Sequence, residues 1–124
     1  MNILAITTEV RSILIASEKI AEMIGEKIFP VVALDRTEGD FIIYQRDGYK
    51  EEYTKMGVAR RIPMILVNAV SDDYDRSLDL ASLIYDTLSG HFSNPDMTIK
   101  LEDSTEDYSD KKYFQILQFS IDLN

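Results

Sequence analysis

Between about Thr8 and Ile24, apolar side chains at Val10, Ile13, Leu14, Ile20, Ala21 and Ile24 recur at helical spacing; Ser17 fills the one gap in the stripe, and Ser12, Glu18, Lys19 and Glu22 lie largely off it. This predicts an amphipathic first helix, capped at its start by Thr7 or Thr8 and closed by Gly25, which enters the left-handed region without a Cβ penalty. Lys27-Ile28-Phe29-Pro30 reads as a short extended piece, because proline biases the residue before it away from helix. Asp35 to Asp40 reads as a polar turn around Gly39. Phe41-Ile42-Ile43-Tyr44 is a strand of β-branched and aromatic residues, stopping at Asp47-Gly48, a pair suited to a type I′ hairpin turn. Two arrangements follow from there. Either Tyr49 to Thr54 pairs back as a return strand, or residues 47–57 form one long loop or arm ended by Gly57.

From Arg60 to Val70 both alternating sets are largely apolar, Ile62, Met64, Leu66 and Val70 on one side and Ile65, Val67 and Ala69 on the other, as expected of a central strand covered on both faces. Pro63 has no amide donor and belongs near that strand's beginning or at a bulge. Ser71-Asp72-Asp73 supplies caps and negative charge to a second helix, whose stripe is Leu78, Ala81, Tyr85 and Leu88, flanked by Leu80 and Ile84 and ended by Gly90. After the Ser93-Asn94-Pro95 turn, Met97, Ile99 and Leu101 alternate with Thr98, Lys100 and Glu102, a strand with one wet face. The acidic connection from Asp103 to Asp110 leads to a last strand in which Tyr113, Leu117, Phe119, Ile121 and Leu123 share a face. The order helix, strand, strand, helix, strand, strand predicts an α+β fold in a single domain over residues 1–124: an antiparallel sheet of about four strands with two helices packed on it.

Composition narrows what such a unit does. With 45% hydrophobic and 28% charged residues the 124-residue chain has the material for one core and is unlike a disordered sequence. A net charge of −9 repels phosphate backbones, which disfavours sequence-specific nucleic-acid binding. The absence of cysteine removes disulfides and thiolate chemistry. No basic leader precedes the first apolar residues and no apolar run approaches the ~20 residues of a membrane helix, so a cytoplasmic protein is expected.

Candidate chemistry is sparse. The single histidine, His91, follows the second helix without a nucleophile elbow near it and reads as a cation near the negative end of the helix dipole. Asp73, Asp75, Ser77 and Asp79 mimic the first ligand positions of a calcium loop, but Leu78 stands where glycine is required and Ile84 where a bidentate glutamate is required. These residues read as a capped helix start. The glycines are isolated, so no phosphate loop is present. Catalytic residues, cofactor, metal and small-molecule substrate are accordingly expected to be absent, and the protein is read as no enzyme. A basic segment, Arg46, Lys50, Lys55, Arg60 and Arg61 with Tyr44, Tyr49 and Tyr53 interleaved, contrasts with acidic patches at Asp72 to Asp79 and Glu102 to Asp110. The basic segment reads as an exposed hairpin face, a protein-contact surface or a stacking surface for single-stranded nucleic acid; as a protein contact, patches of opposite sign that complement each other would make head-to-tail contacts between copies.

In this order of motifs the chain resembles the tail-terminator, or tail-completion, proteins of long-tailed bacteriophages and prophages. The resemblance rests on the first helix, the step ending in Phe29-Pro30, the strand in Gly39-Asp40-Phe41-Ile42-Ile43-Tyr44, the apolar strand from Arg61 to Val70, the helix entry Ser71-Asp72-Asp73-Tyr74-Asp75 with the following Leu80-Ala81, and two closing strands. It implies a subunit of a ring, typically hexameric, that caps the tail tube and presents a surface to the head-side connector, found in the host cytoplasm during assembly and in the virion tail afterwards. Its partners would be itself, a tail-tube protein and a head-connector protein, with no membrane. The contact residues expected for such assembly are Arg46, Tyr49, Lys50, Tyr53, Lys55 and Met56 on the basic segment and Asp72, Asp73 and Asp75 at the helix entry. An acidic protein-binding or regulatory module of dimeric type is the alternative.

Overall fold

Ala16 and Ser17 divide the N-terminal apolar stripe into two helices, α1 (Ile6–Ile15) and α2 (Glu18–Ile24), in the computed structural model, which describes residues 3–32, 38–93 and 95–123. For residues 3, 49, 50, 52–54 and 58–61 only the backbone is described. Ser17, expected to fill a gap in one helix, instead caps the second, its hydroxyl accepting from the Ile20 N–H at 3.3 Å. The expected caps Thr7 and Thr8 lie inside α1, which starts from a short 3-10 turn, Ile3–Ala5. Gly25 closes α2 at φ 64, the positive-φ end that glycine makes cheap.

The strands are β1 (Ile28–Pro30), β2 (Phe41–Thr54), β3 (Gly57–Ser71), β4 (Gly90–Ser93), β5 (Asp96–Ser109) and β6 (Lys112–Leu123), with α3 (Tyr74–Leu88) between β3 and β4. They form one sheet in the order β1-β2-β3-β6-β5-β4, with β1 parallel to β2 and every other pair antiparallel. The expected antiparallel sheet of about four strands with two helices is thus corrected to a mixed six-stranded sheet, curled into a half-barrel, with three helices. The two added strands are edges of three and four residues, too short to display an alternation. Gly90, expected to end the second helix, opens β4 at φ 131.

Two hairpins carry most of the sheet. Asp47-Gly48 is not a turn: Arg46 pairs with Ile65 and Gly48 with Met64, which leaves Asp47 as a bulge, and β2 runs on to a two-residue loop at Lys55-Met56 between Thr54 and Gly57. The arm is therefore a long β-ribbon. Pro63 pairs opposite Tyr49, close to this bulge and one residue before β6 begins to pair at Met64, where its missing N–H interrupts no second ladder. The acidic connection expected from Asp103 to Asp110 is strand up to Ser109, and the turn is Asp110-Lys111, with φ 51 and 63. Two successive positive φ values are the type I′ geometry that matches strand twist. The polar turn expected over Asp35 to Asp40 lies partly outside the described residues.

The core occupies one side of the sheet. Ile42, Ile65, Val67, Ala69, Leu117, Phe119, Ile121, Met97 and Ile99 are buried there against Val10 and Leu14 of α1, Ile20 and Ile24 of α2, and Leu80, Ile84 and Leu88 of α3. The other face of β3 is not fully covered as expected: Ile62, Met64, Leu66 and Asn68 are half-buried, alongside Ile43 of β2 and Phe114 and Ile116 of β6.

Candidate assembly surface

Asp40, just ahead of β2, ties the first hairpin to the start of α3. It is buried, accepts a 2.6 Å bond from the Ser71 hydroxyl and pairs through its other oxygen with the Arg76 guanidinium, whose Nε donates at 2.7 Å. Ser71 in turn accepts from the Asp73 N–H at 3.1 Å, closing a turn just ahead of α3, whose N-cap Asp73 makes no side-chain cap bond. Hydrogen bonding to Asp40 raises the Arg76 pKa further above its ordinary value.

At the entry of α3, Asp72 receives the Lys112 ammonium at 2.8 Å, which holds its carboxyl below the usual carboxylate range. Beside it, Tyr74 meets Tyr113 edge-on with ring centroids 5.4 Å apart, and Tyr113 meets Tyr108 at 4.8 Å. The Tyr74 hydroxyl donates to Glu106 Oε1 at 3.0 Å. That bond, followed by the repulsion between the two negative charges, raises the pKa of Tyr74. Tyr108-to-Tyr113 is a cross-strand pair one step from the Asp110-Lys111 turn, so the turn geometry fixes this aromatic group against α3.

The expected stripe of α3 has the wrong phase. The buried positions are Ser77, Leu80, Ile84 and Leu88, whereas Leu78 and Tyr85 are 40% and 46% exposed. At 100° per residue this turns the buried face by roughly 75° from the expected set Leu78, Ala81, Tyr85, Leu88. The cause is Ser77, a polar residue satisfied inside the core by donating to the Tyr74 carbonyl at 2.6 Å and accepting from Gln115 Nε2 at 3.3 Å.

The expected contact residues fall in two groups that the single chain does not bring together. Tyr49, Lys50, Tyr53, Lys55 and Met56 follow one another along the far part of the β2–β3 ribbon. The side chains of Tyr49, Lys50 and Tyr53, like those of Arg60 and Arg61, lie outside the described residues, while Lys55 and Met56 are exposed at the tip, Met56 at 95%. Arg46 stands at the ribbon's base, donating to the Leu4 carbonyl at 3.4 Å beside a cleft of about 230 Å³ lined by Leu4, Thr7, Pro30, Val31, Tyr44 and Gln45. Next to it the Val32 N–H donates to the Pro30 carbonyl at 2.7 Å across Val31 at φ 64, a strained turn for a β-branched residue. Asp72, Asp73 and Asp75 sit at the α3 entry, among the tyrosines that sequence reasoning assigned to no surface. Asp73, Asp75, Ser77 and Asp79 run from the N-cap into the helix, as expected, and do not form a loop.

His91 belongs to β4 rather than to a helix end. Its Nδ1 lies 3.2 Å from Thr98 Oγ1 and its Nε2 3.1 Å from Asp96 Oδ1. The connectivity resembles a hydroxyl–imidazole–carboxylate chain, but all three residues are exposed, and the bonds join β4 to β5 across a solvated edge. No helix among the described residues is long and apolar enough to cross a membrane.

No family model matches the sequence, and no curated protein matches it. Among solved structures, a chain of the virion of a native gene transfer agent (GTA) particle is similar, with a TM-score of 0.78 at 14% identity, covering 92% of this chain and 90% of that one. The half-barrel with its two long hairpins is thus a fold shared with a virion component.

Proposed function

We propose that this chain is a structural subunit of a phage-type tail, assembling into a ring, hexameric in the family it resembles, that caps the tail tube and meets the head-side connector. The observation that carries the reading is the likeness to a virion chain along nearly the whole of both molecules. The order of motifs in the sequence points the same way. Physically, the basic ribbon and the acidic tyrosine-bearing end of α3 are distinct patches, and unlike patches produce heterologous contacts that close into rings when the rotation permits. A net charge of −9 suits a ring through which DNA passes without being held.

Light scattering and negative-stain imaging of the purified chain, alone and with tail-tube protein, test this. Closed rings that bind tube ends are expected. A strict monomer that also ignores tail-tube protein overturns the reading, and a stable dimer without rings favours the acidic protein-binding module.

A further inference from the structure

Tyr74, Leu78, Ala81 and Tyr85 lie at spacings of four, three and four residues along α3 and so form one stripe between its buried face and an acidic row, Asp75, Asp79 and Asp86. Tyr74 is 38% exposed and Tyr108, at the end of the stripe, 58%. These exposures are those of the complete single chain, so a cover for the stripe would have to come from another molecule. Aromatic anchors bordered by charge of one sign are the composition of an interface centre with its rim.

We propose that the stripe, with Tyr108, is the seat of the β2–β3 ribbon of a second copy, its Lys55-Met56 tip running along α3. Charge complementarity identifies the occupant. Residues 46–61 hold five basic and three acidic residues in a chain whose net charge is −9, whereas Arg76, the one basic residue of α3, is engaged by Asp40. The lengths also match. From Tyr74 to Tyr85 the helix rises ~16 Å, and the ribbon beyond the β3–β6 pairing, from Pro63 to Gly57, extends ~20 Å. At the tip, exposed Met56 offers a polarizable thioether to tyrosine rings and Lys55 an ammonium to rings and carboxylates. This contact names the partner surface for the self-association proposed above and rests on that reading.

The cysteine-free sequence makes the test clean. Full-length Met56→Cys and Ser82→Cys variants, mixed under mild oxidation, are expected to give a disulfide-linked pair in large excess over either variant alone. In sedimentation, Lys55→Glu with Met56→Glu, and separately Asp75→Lys with Asp79→Lys, are expected to weaken association by about tenfold or more, and equal mixing of the two reversed variants to restore it. Thermal midpoints serve as the folding control. Rings that form with neither cross-link nor charge effect overturn this contact and leave the ring reading standing. Specific cross-links in open chains support the contact and overturn the ring. A monomer with no cross-link at any concentration overturns both.

Discussion

The two long hairpins are built alike and held differently. Each turns through two residues, Lys55-Met56 in one and Asp110-Lys111 in the other, and each carries strands of 12 to 15 residues. The β5–β6 hairpin is braced at its far end by α3, through Tyr74 on Tyr113 and on Glu106. Among the described pairings, the β2–β3 hairpin beyond Met64 has only its own two strands, steadied at the base where Gln118 donates to the bulge residue Asp47 at 2.7 Å. A two-stranded ribbon is marginal by itself in water. The comparison separates a hairpin that belongs to the fold from one that uses the fold as a platform.

The largest effect that sharpens this contrast lies on β3, where the two hairpins meet through its pairing with β6. Ile65 is fully buried against the helices, while its neighbour Leu66 is half-buried on the helix-free face. Ile65→Ala is expected to cost about 2–5 kcal/mol through the cavity it leaves, measured by urea denaturation. Leu66→Ala should cost less in the dilute protein. Equal losses would mean that both faces are packed within one chain.

Next in size are the turns. Gly57 sits at φ 113, where an added Cβ meets no atom within 4 Å, so Gly57→Ala introduces backbone strain and no clash. That strain, ~1–2 kcal/mol, is expected to accelerate hydrogen exchange of the ribbon amides while leaving the global unfolding midpoint nearly in place, because the ribbon opens locally. Lys111→Gly does the opposite in the braced hairpin: it relieves a positive φ at position i+2 of a type I′ turn and should raise global stability by a few tenths to about 1 kcal/mol. A global loss in Gly57→Ala would show that the ribbon and the core unfold together.

What the sequence made legible follows the strength of each local signal. β3, the inner halves of β5 and β6, and the existence of α3 are readable because long apolar or alternating runs admit one assignment. The misplacements have particular causes. Ser77 disguised the buried face of α3, since a satisfied polar residue in the core looks like a surface position. Asp47-Gly48 carried a turn composition into a bulge. Asp103 to Ser109 resembled a loop because a strand wet on both sides has no hydrophobic period. The acidic half of the expected contact surface was visible as charge. Its tyrosines were not, because Tyr85 had been counted toward the core and Tyr108 toward a loop.

The smallest expected effect concerns the brace itself. Tyr74 donates to Glu106, so its deprotonation forfeits a bond and sets two negative charges side by side, and its pKa is raised above 10.0. A group whose folded pKa is raised contributes stability that is complete below its unfolded value and disappears as pH rises through the folded one. Tyrosinate absorbance of the seven tyrosines should therefore contain a late component that Tyr74→Phe removes and Glu106→Gln moves down. A titration unchanged in Glu106→Gln would mean that the brace is not formed. The same component reports on the seat: a docked ribbon changes the charge and solvation around Tyr74 and Glu106, so the late step should move with rising protein concentration in the native chain and stay put in Lys55→Glu with Met56→Glu. If it stays put in both, the hairpins differ in their bracing alone, and the projecting one meets its partner elsewhere.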